Sequence, residues 1–356
     1  MHAEIVQMRL YDLGAEVDLG AVRRLHGRQP TPAPVIAQSS VPSSAKFPQP
    51  YEVSFDAEGA PAGTRIELRV HRLGVLAVRI RWPCSIDSMV ALADEPSRIR
   101  IEGLDPEAYS LQLFQQTRAE LQPHLCDPYA ATVPEERYLV YCVLATPELV
   151  PKLLLNEARA IAQLISDSPR QELVPARIAA ASKHTLQNTP GDAIVIGWEH
   201  AVILDEPGQY EDILDVMELA NLELLEFRTY DSHLDLRLDA SFDALDRLWA
   251  GGGLFRSARS ALQDISRLRV EFARLTDSLH DTGKIFGDWY TAQLHRHLLE
   301  RFHVASWERA VTAKMATLED MFHLAQEEAT HRRSLLLEGM IVLLFILDLV
   351  LLFQVR

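Results

Sequence analysis

TRIELRVHRLGVLAVRIRW (64–82) decides the fold class, because its apolar residues recur at every second position. Ile66, Leu68 and Val70 alternate with charged residues, and Leu76, Val78 and Ile80 alternate with alanine or arginine. A period of two places one set of side chains on each face of a strand. The stretch therefore predicts two half-buried strands, bent at Gly74, ended at Pro83, and with an arginine-bearing face in water.

Outward from that pair, EIVQMRLY (4–11) reads as another short strand, and Leu19–Leu25 as a helical turn. Gly27–Pro50 holds six of the 19 prolines and reads as a flexible loop, since each proline fixes φ and removes a donor. Pro106–Gln122 predicts a helix with proline in its first turn. RYLVYCVLA (137–145) is apolar without a break and predicts a central strand. Helices are expected from Thr146 to about Ile165 and from Pro175 to Leu186, followed by a hairpin over 192–206 that turns at Gly197-Trp198-Glu199-His200. Tyr210–Trp249 reads as one long helix, and ILDVMELANLELLEF (213–227) within it is apolar nearly all round. These elements predict an α+β fold with a mixed or antiparallel sheet. It is followed by a helical hairpin or coiled-coil stalk and a C-terminal transmembrane helix.

The expected organisation is a short strand and helix over 1–26, a proline-rich loop over 27–50 and an α+β domain over 51–250. A stalk over 254–333 and a membrane span over 335–353 complete it, with a boundary at Gly251-Gly252-Gly253. Charge follows the same division. The chain carries 35 basic and 50 acidic side chains in 356 residues, a net charge of -15. Residues 256–356 hold 13 of each sign, so the whole excess lies before them. An acidic chain does not hold nucleic acid by bulk charge. Three cysteines, Cys84, Cys126 and Cys142, are too few for a disulfide framework or a Cys-rich zinc site, and a reducing compartment is expected.

Phe255, Ala258, Leu262, Ile265, Leu268, Phe272, Leu275 and Leu279 are spaced three or four apart, as are Val311, Met315, Leu318, Phe322 and Ala325. Such seams bury themselves against another helix. Leu262, Phe272, Met315 and Phe322, with the aromatic residues Trp289, Tyr290 and Trp307, are the expected self-association residues. Leu335–Phe353 has 19 residues and two acids, long enough at 1.5 Å per residue to match a bilayer of roughly 30 Å. Arg332 and Arg333 precede it, Glu338 lies near one end and Asp348 inside. By the positive-inside tendency this predicts a tail anchor with the N-terminal domain in the cytoplasm.

No motif of established chemistry stands out. His295 and His297 lie two apart on a predicted helix, the wrong spacing for one metal, and are expected in water. Glu199-His200 reads as a polar turn. Asp231, Asp235 and Asp239 form a stripe expected to be solvated or salt-bridged. No catalytic, cofactor-binding or metal site is expected.

Residues 287–353 resemble the C-terminal half of an uncharacterised-domain family that includes the proteins called "required for meiotic nuclear division". The shared pattern is Asp288-Trp289-Tyr290, Glu300-Arg301, Trp307, Lys314, Leu318-Glu319, Arg332-Arg333, Leu337-Glu338 and a terminal apolar helix. Tyr210-Glu211-Asp212 through Leu219-Ala220-Asn221, then Tyr230-Asp231 and Leu234-Asp235, look like bacterial relatives of that family. The resemblance implies a membrane-anchored, oligomerising protein without an established enzymatic activity. Its mitochondrial members support organellar translation from the inner membrane. The expected function is a self-associating scaffold or tether in a bacterial inner membrane, partnered by a membrane, by its own copies and by an unknown protein. Two alternatives are a ribosome-linked membrane anchor and a membrane-bound enzyme or sensor with an unrecognised site.

Overall fold

The strand β1 (His2–Asp12) organises the sheet, pairing antiparallel on both sides. Its Ile5 stands opposite Trp82 of β6 (Val75–Ser85) and opposite Tyr141 of β8 (Glu135–Leu144). Beyond β6 lie β5 (Arg65–Val70), β4 (Tyr51–Asp56) and β3 (Thr31–Pro32), each antiparallel to its neighbour. Beyond β8, β11 (His200–Asp205) runs parallel, and β10 (Ala193–Ile196) and β9 (Thr185–Leu186) finish the sheet. A separate ladder joins β2 (Gly14–Val17) to β7 (Leu125–Pro128). The computed structural model describes residues 1–33, 49–128, 135–166, 172–249 and 288–354, with Val270, Phe272 and Thr276.

The mixed sheet and its helices match the α+β part of the sequence reading. β5 and β6 turn at His71–Gly74, where Gly74 has φ 85°, a conformation open to glycine at little cost. The parallel step from β8 to β11 needs a crossover, supplied by α3 (Val150–Asn156), α4 (Ala158–Leu164) and α5 (Pro175–Ser182). One helix was expected over Thr146–Ile165. The chain instead breaks at Glu157, whose φ and ψ of -105° and 14° leave the helical region. The short α1 (Glu95–Arg98) precedes α2 (Pro106–Leu121), which the Asp105 carboxylate caps by accepting the Ala108 amide at 2.8 Å.

The two faces of the sheet differ in kind. On one, Ile5, Leu68, Val78, Ile80, Trp82 and Tyr141 join Tyr109, Leu113 and Phe114 of α2 and Ile161 of α4 in one apolar core. Each such side chain contributes about 1.5–3 kcal/mol by leaving water. On the other, the alternation puts Glu67, Arg69, Arg79 and Arg81 beneath α6 (Glu211–Trp249). This corrects the expected solvated face: Arg79 is 0% exposed, and Arg69 and Arg81 are under 10%. The reason is α6, whose carboxylates supply the partners that a buried guanidinium needs.

The chain divides into two units, Met1–Thr229 with Leu275–Trp307, and Tyr230–Arg274 with Glu308–Arg356. The division falls inside α6 and inside α8 (Val304–Gln354). In the first unit, the Asp288 side chain caps α7 (Trp289–Arg301) by accepting the Tyr290 and Thr291 amides at 2.8 and 2.9 Å. Leu294 and Leu298 of α7 and the following Phe302 are fully buried there. In the second unit, Leu234, Val311, Met315 and Leu318 are buried, and the Phe272 ring lies 5.6 Å from Tyr230. Lys314 bridges Asp231 at 2.7 Å and Asp235 at 2.6 Å, so two of the three stripe acids are salt-bridged. Half-exposed pairs of this type are worth about 0–1 kcal/mol. Lys314→Met is expected to cost no more than about 1 kcal/mol in urea unfolding, and a loss of several would show that the bridge is structural.

The C-terminal segment requires a correction. Side chains on α8 are described as far as Leu347, and the apolar stretch from Leu335 contains the exposed Glu338. Among the described residues no helix is long and apolar enough to cross a membrane. This overturns the transmembrane helix over 335–353, the tail-anchored topology and the placement in a bacterial inner membrane. The side chains of Arg332, Arg333 and Asp348, three of the expected anchor residues, lie outside the described ones.

Candidate functional site

The first turns of α6 carry Glu211, Asp215 and Glu218 at spacings of four and three, which is one face of a helix. Strand alternation presents Arg69, Arg79 and Arg81 to that face. Arg79 donates from Nε to Glu218 Oε2 at 2.5 Å and from Nη2 to Asp215 Oδ1 at 2.8 Å. Arg69 reaches the same Asp215 oxygen at 2.5 Å and Glu52 at 2.7 Å. His71 Nε2 lies 2.8 Å from Glu218 Oε1. Arg81 grips Glu211 with both Nη atoms, at 2.9 and 2.7 Å, and also reaches Glu4 at 2.8 Å. Burial pushes the Glu218 carboxyl up, but Arg79, Arg69 and His71 overcome it and hold it far below the usual carboxylate range. Chemically the layer is spent on itself: arginine stays protonated and each of these carboxylates is engaged. It fixes α6 to the sheet.

Farther along α6 the pairing continues, with one exception. Glu223 Oε1 lies 2.8 Å from Nε2 of His295 of α7, both side chains buried. This corrects the reading of His295 as a solvated histidine. His297 is half-buried, with Nδ1 3.0 Å from the Gln293 carbonyl oxygen. Arg228 pairs with Glu136, whose carboxyl burial nonetheless lifts to about 7. The exception is Glu226, buried near Asp12, with no basic group against either among the described residues.

A cleft of about 820 Å³ opens in the first unit where the β9–β10 turn, the end of β11 and the starts of α6 and α7 meet. Glu148, Asp192, Asp205, Glu206, Asp212 and Asp288 line it, with no lysine or arginine among the described residues of its wall. Asp192 is engaged by the amides of Asn188 and Thr189, and Asp288 by those of α7. A smaller pocket of about 240 Å³ has Gln7 and Arg9 on its floor. Arg9 is bound there by Glu107 at 2.5 Å and Glu135 at 3.0 Å. Among the described residues no group of three or more His, Cys, Asp or Glu side chains is placed to hold a metal.

The expected self-association residues are divided between the two units. Trp289 is 66% exposed at the start of α7, and Tyr290 lines the acidic cleft. Trp307 lies under the Arg228 guanidinium at 5.9 Å, within the first unit. Phe272 and Met315 belong to the second unit. Leu262 and the side chain of Phe322 lie outside the described residues, as do Gly251-Gly252-Gly253. The charged layer was missed, although the four-and-three spacing of Glu211, Asp215 and Glu218 was there to be matched against the arginine alternation.

A protein of Methanocaldococcus jannaschii, "Uncharacterized protein MJ0711", is 26% identical over 241 residues, which is 67% of this chain and 71% of that one. No solved structure matches. The likeness is to an uncharacterised-domain family, and the meiotic-division proteins are not part of it. Residues 2–211, all of the sheet and the first residue of α6, match the family described as "Uncharacterized protein MJ0711, N-terminal domain", and the chain belongs to it.

Proposed function

We propose that the protein is a non-catalytic scaffold that self-associates through the C-terminal part of α8. One observation carries this reading. Between Leu335 and Leu347, eleven large apolar side chains are each at least 50% exposed. That exceeds the few hundred Å² of contiguous apolar surface a monomer usually shows. Only Glu338 and Gly339 interrupt the run, so the helix is apolar on every side. A two-stranded seam covers one stripe only, whereas a bundle of several like helices covers more of the circumference. Identical apolar helices are self-complementary, which makes further copies of this chain the fitting occupant.

The seam residues Val311, Met315 and Leu318 are already covered within one chain, so the proposed contact lies beyond them. The charged layer under α6 supports the same reading, because it binds one element to another and presents no free reactive group. The likeness of residues 210–353 to the meiotic-division proteins also implies an oligomerising protein. The test is the mass of the full chain by light scattering. Wild type is expected to be a defined oligomer, and Ile341→Glu with Leu344→Glu a monomer with unchanged helix content. A monomeric wild type, an unchanged mass in the variant, or association that appears only with lipid vesicles overturns the reading.

A further inference from the structure

We propose that Asp12 on β1 and Glu226 on α6 share one proton, and that this proton latches α6 to the sheet at the point where the helix leaves the first unit. Asp12 is 0% exposed, Glu226 3% and Thr229 0%. Asp12 Oδ2, Glu226 Oε1 and Thr229 Oγ1 are buried oxygens without a hydrogen-bond partner, while Asp12 Oδ1 accepts the Gly14 amide at 3.1 Å. Every other buried carboxylate described along this face of α6 meets an arginine or a histidine. These two instead lie within reach of each other's charge. Two buried anions side by side without a cation are untenable, and one proton between them turns repulsion into a hydrogen bond.

The electrostatics follow from that arrangement. Burial pushes Asp12 up to about 7, against the pull of the Gly14 amide. Burial, then the Asp12 charge, pushes Glu226 well above its ordinary range. Among the described residues of the same sheet face, Glu136 of β8 is paired with Arg228, His71 of the β5–β6 turn with Glu218 of α6, and Glu4 and Glu67 with Arg81. A carboxyl whose folded value is raised contributes stability below its unfolded value near 4 and loses it as pH rises through the folded value. Loss of the proton to water leaves two charges that must separate or hydrate, and the turn of α6 around Glu226 loosens. Thr229 ends the first unit and Tyr230 begins the second, so the latch stands at the last turn before that division.

Hydrogen exchange of the full chain, read at amides 222–229 from pH 5.5 to 8.5 and corrected for intrinsic rates, tests this. Wild-type protection should fall about tenfold per pH unit while the closed state keeps the proton that the opened state releases, and level off above the folded value, since one proton linked to opening changes the equilibrium tenfold per unit. Glu226→Gln and Asp12→Asn should each keep protection at its low-pH level throughout. Glu136→Gln, which removes another group titrating near neutrality, should leave the wild-type slope intact. Carbon-13 carboxyl shifts of the wild type give a second readout, with Asp12 and Glu226 titrating as a linked pair above the ordinary carboxylate range. A flat wild-type profile, a wild-type slope in Glu226→Gln, or protection restored at pH 8 by potassium or magnesium would overturn the proposal. The last result would mean that the pair holds a cation.

Discussion

Arg79→Ala is expected to lower the stability of the first unit by about 3–5 kcal/mol, the range for removing one member of a buried ion-pair network. Arg79 is fully buried and serves three acceptors at once: Glu218, Asp215 and the Leu214 carbonyl oxygen. Truncation removes these bonds and, more expensively, leaves Glu218 buried with only Arg69 and His71 to balance it. The second variant needed is Arg79→Met with Glu218→Gln. That pair keeps the apolar volume and deletes the stranded charge, so it should recover much of the loss. The pH dependence supplies a third signature. Glu218 is held far below its ordinary range, so its contribution is present above the unfolded value and disappears as pH falls through the folded one. In Arg79→Ala that acid-side slope should shrink. A cost under about 1 kcal/mol, measured by urea unfolding with an unchanged slope, would show that the layer adds nothing.

The layer's contribution is one of register more than of net energy. An ion pair in the interior roughly offsets its own desolvation, and a well-packed apolar substitute is often as stable. What an apolar substitute lacks is direction. The bidentate grip of Arg81 on Glu211 and the fork of Arg79 across Asp215 and Glu218 are each satisfied at one rotation and one height of α6. An α6 turned by one residue would bury unpaired carboxylates. The following residues, Glu223 with His295 and Glu226 with Asp12, extend that specification from the sheet to α7 and toward the end of the unit.

Local pattern and distant pairing separate what the sequence disclosed from what it hid. Strands β5, β6 and β8 and helices α2 and α6 were legible because period two, unbroken apolar runs and period 3.6 are local signals. The place of β1 was not, since EIVQMRLY says nothing of which strands flank it. The arginines of β5 and β6 read as solvated because arginine is mostly exposed when no partner is in view. Here the partners lie far off in the chain: Arg69 and Asp215 are 146 residues apart, and Arg79 and Glu218 are 139. The same holds for His295, whose partner Glu223 is 72 residues away. At the C-terminus a hydropathy run was a true local signal, but it fixed only that the helix is apolar.

Phe302→Ala is expected to cost about 3–5 kcal/mol, as for other fully buried phenylalanines truncated to alanine, and to free α7 from the sheet. The ring is 0% exposed and stands edge-on to two others, Tyr138 of β8 at 5.5 Å and Trp198 of the β10–β11 turn at 6.2 Å. Edge-to-face pairs add about 0.5–1.5 kcal/mol beyond the area they bury. Position adds leverage. Phe302 is the C-cap of α7, and the next residue, His303, takes φ 53° before α8 begins, a conformation that costs a non-glycine residue energy. That strained turn is held from the Phe302 side by aromatic packing, with Trp198 and the His303 ring 5.8 Å apart. Emptying the Phe302 site removes the anchor and leaves the strain, so α7 should become the first segment cut in limited proteolysis. Phe302→Leu, which refills most of the volume, should cost well under half as much and keep α7 protected. If the alanine variant unfolded with the sheet while α7 stayed uncut to the end, α7 would be held by Leu294, Leu298 and the His295–Glu223 pair instead.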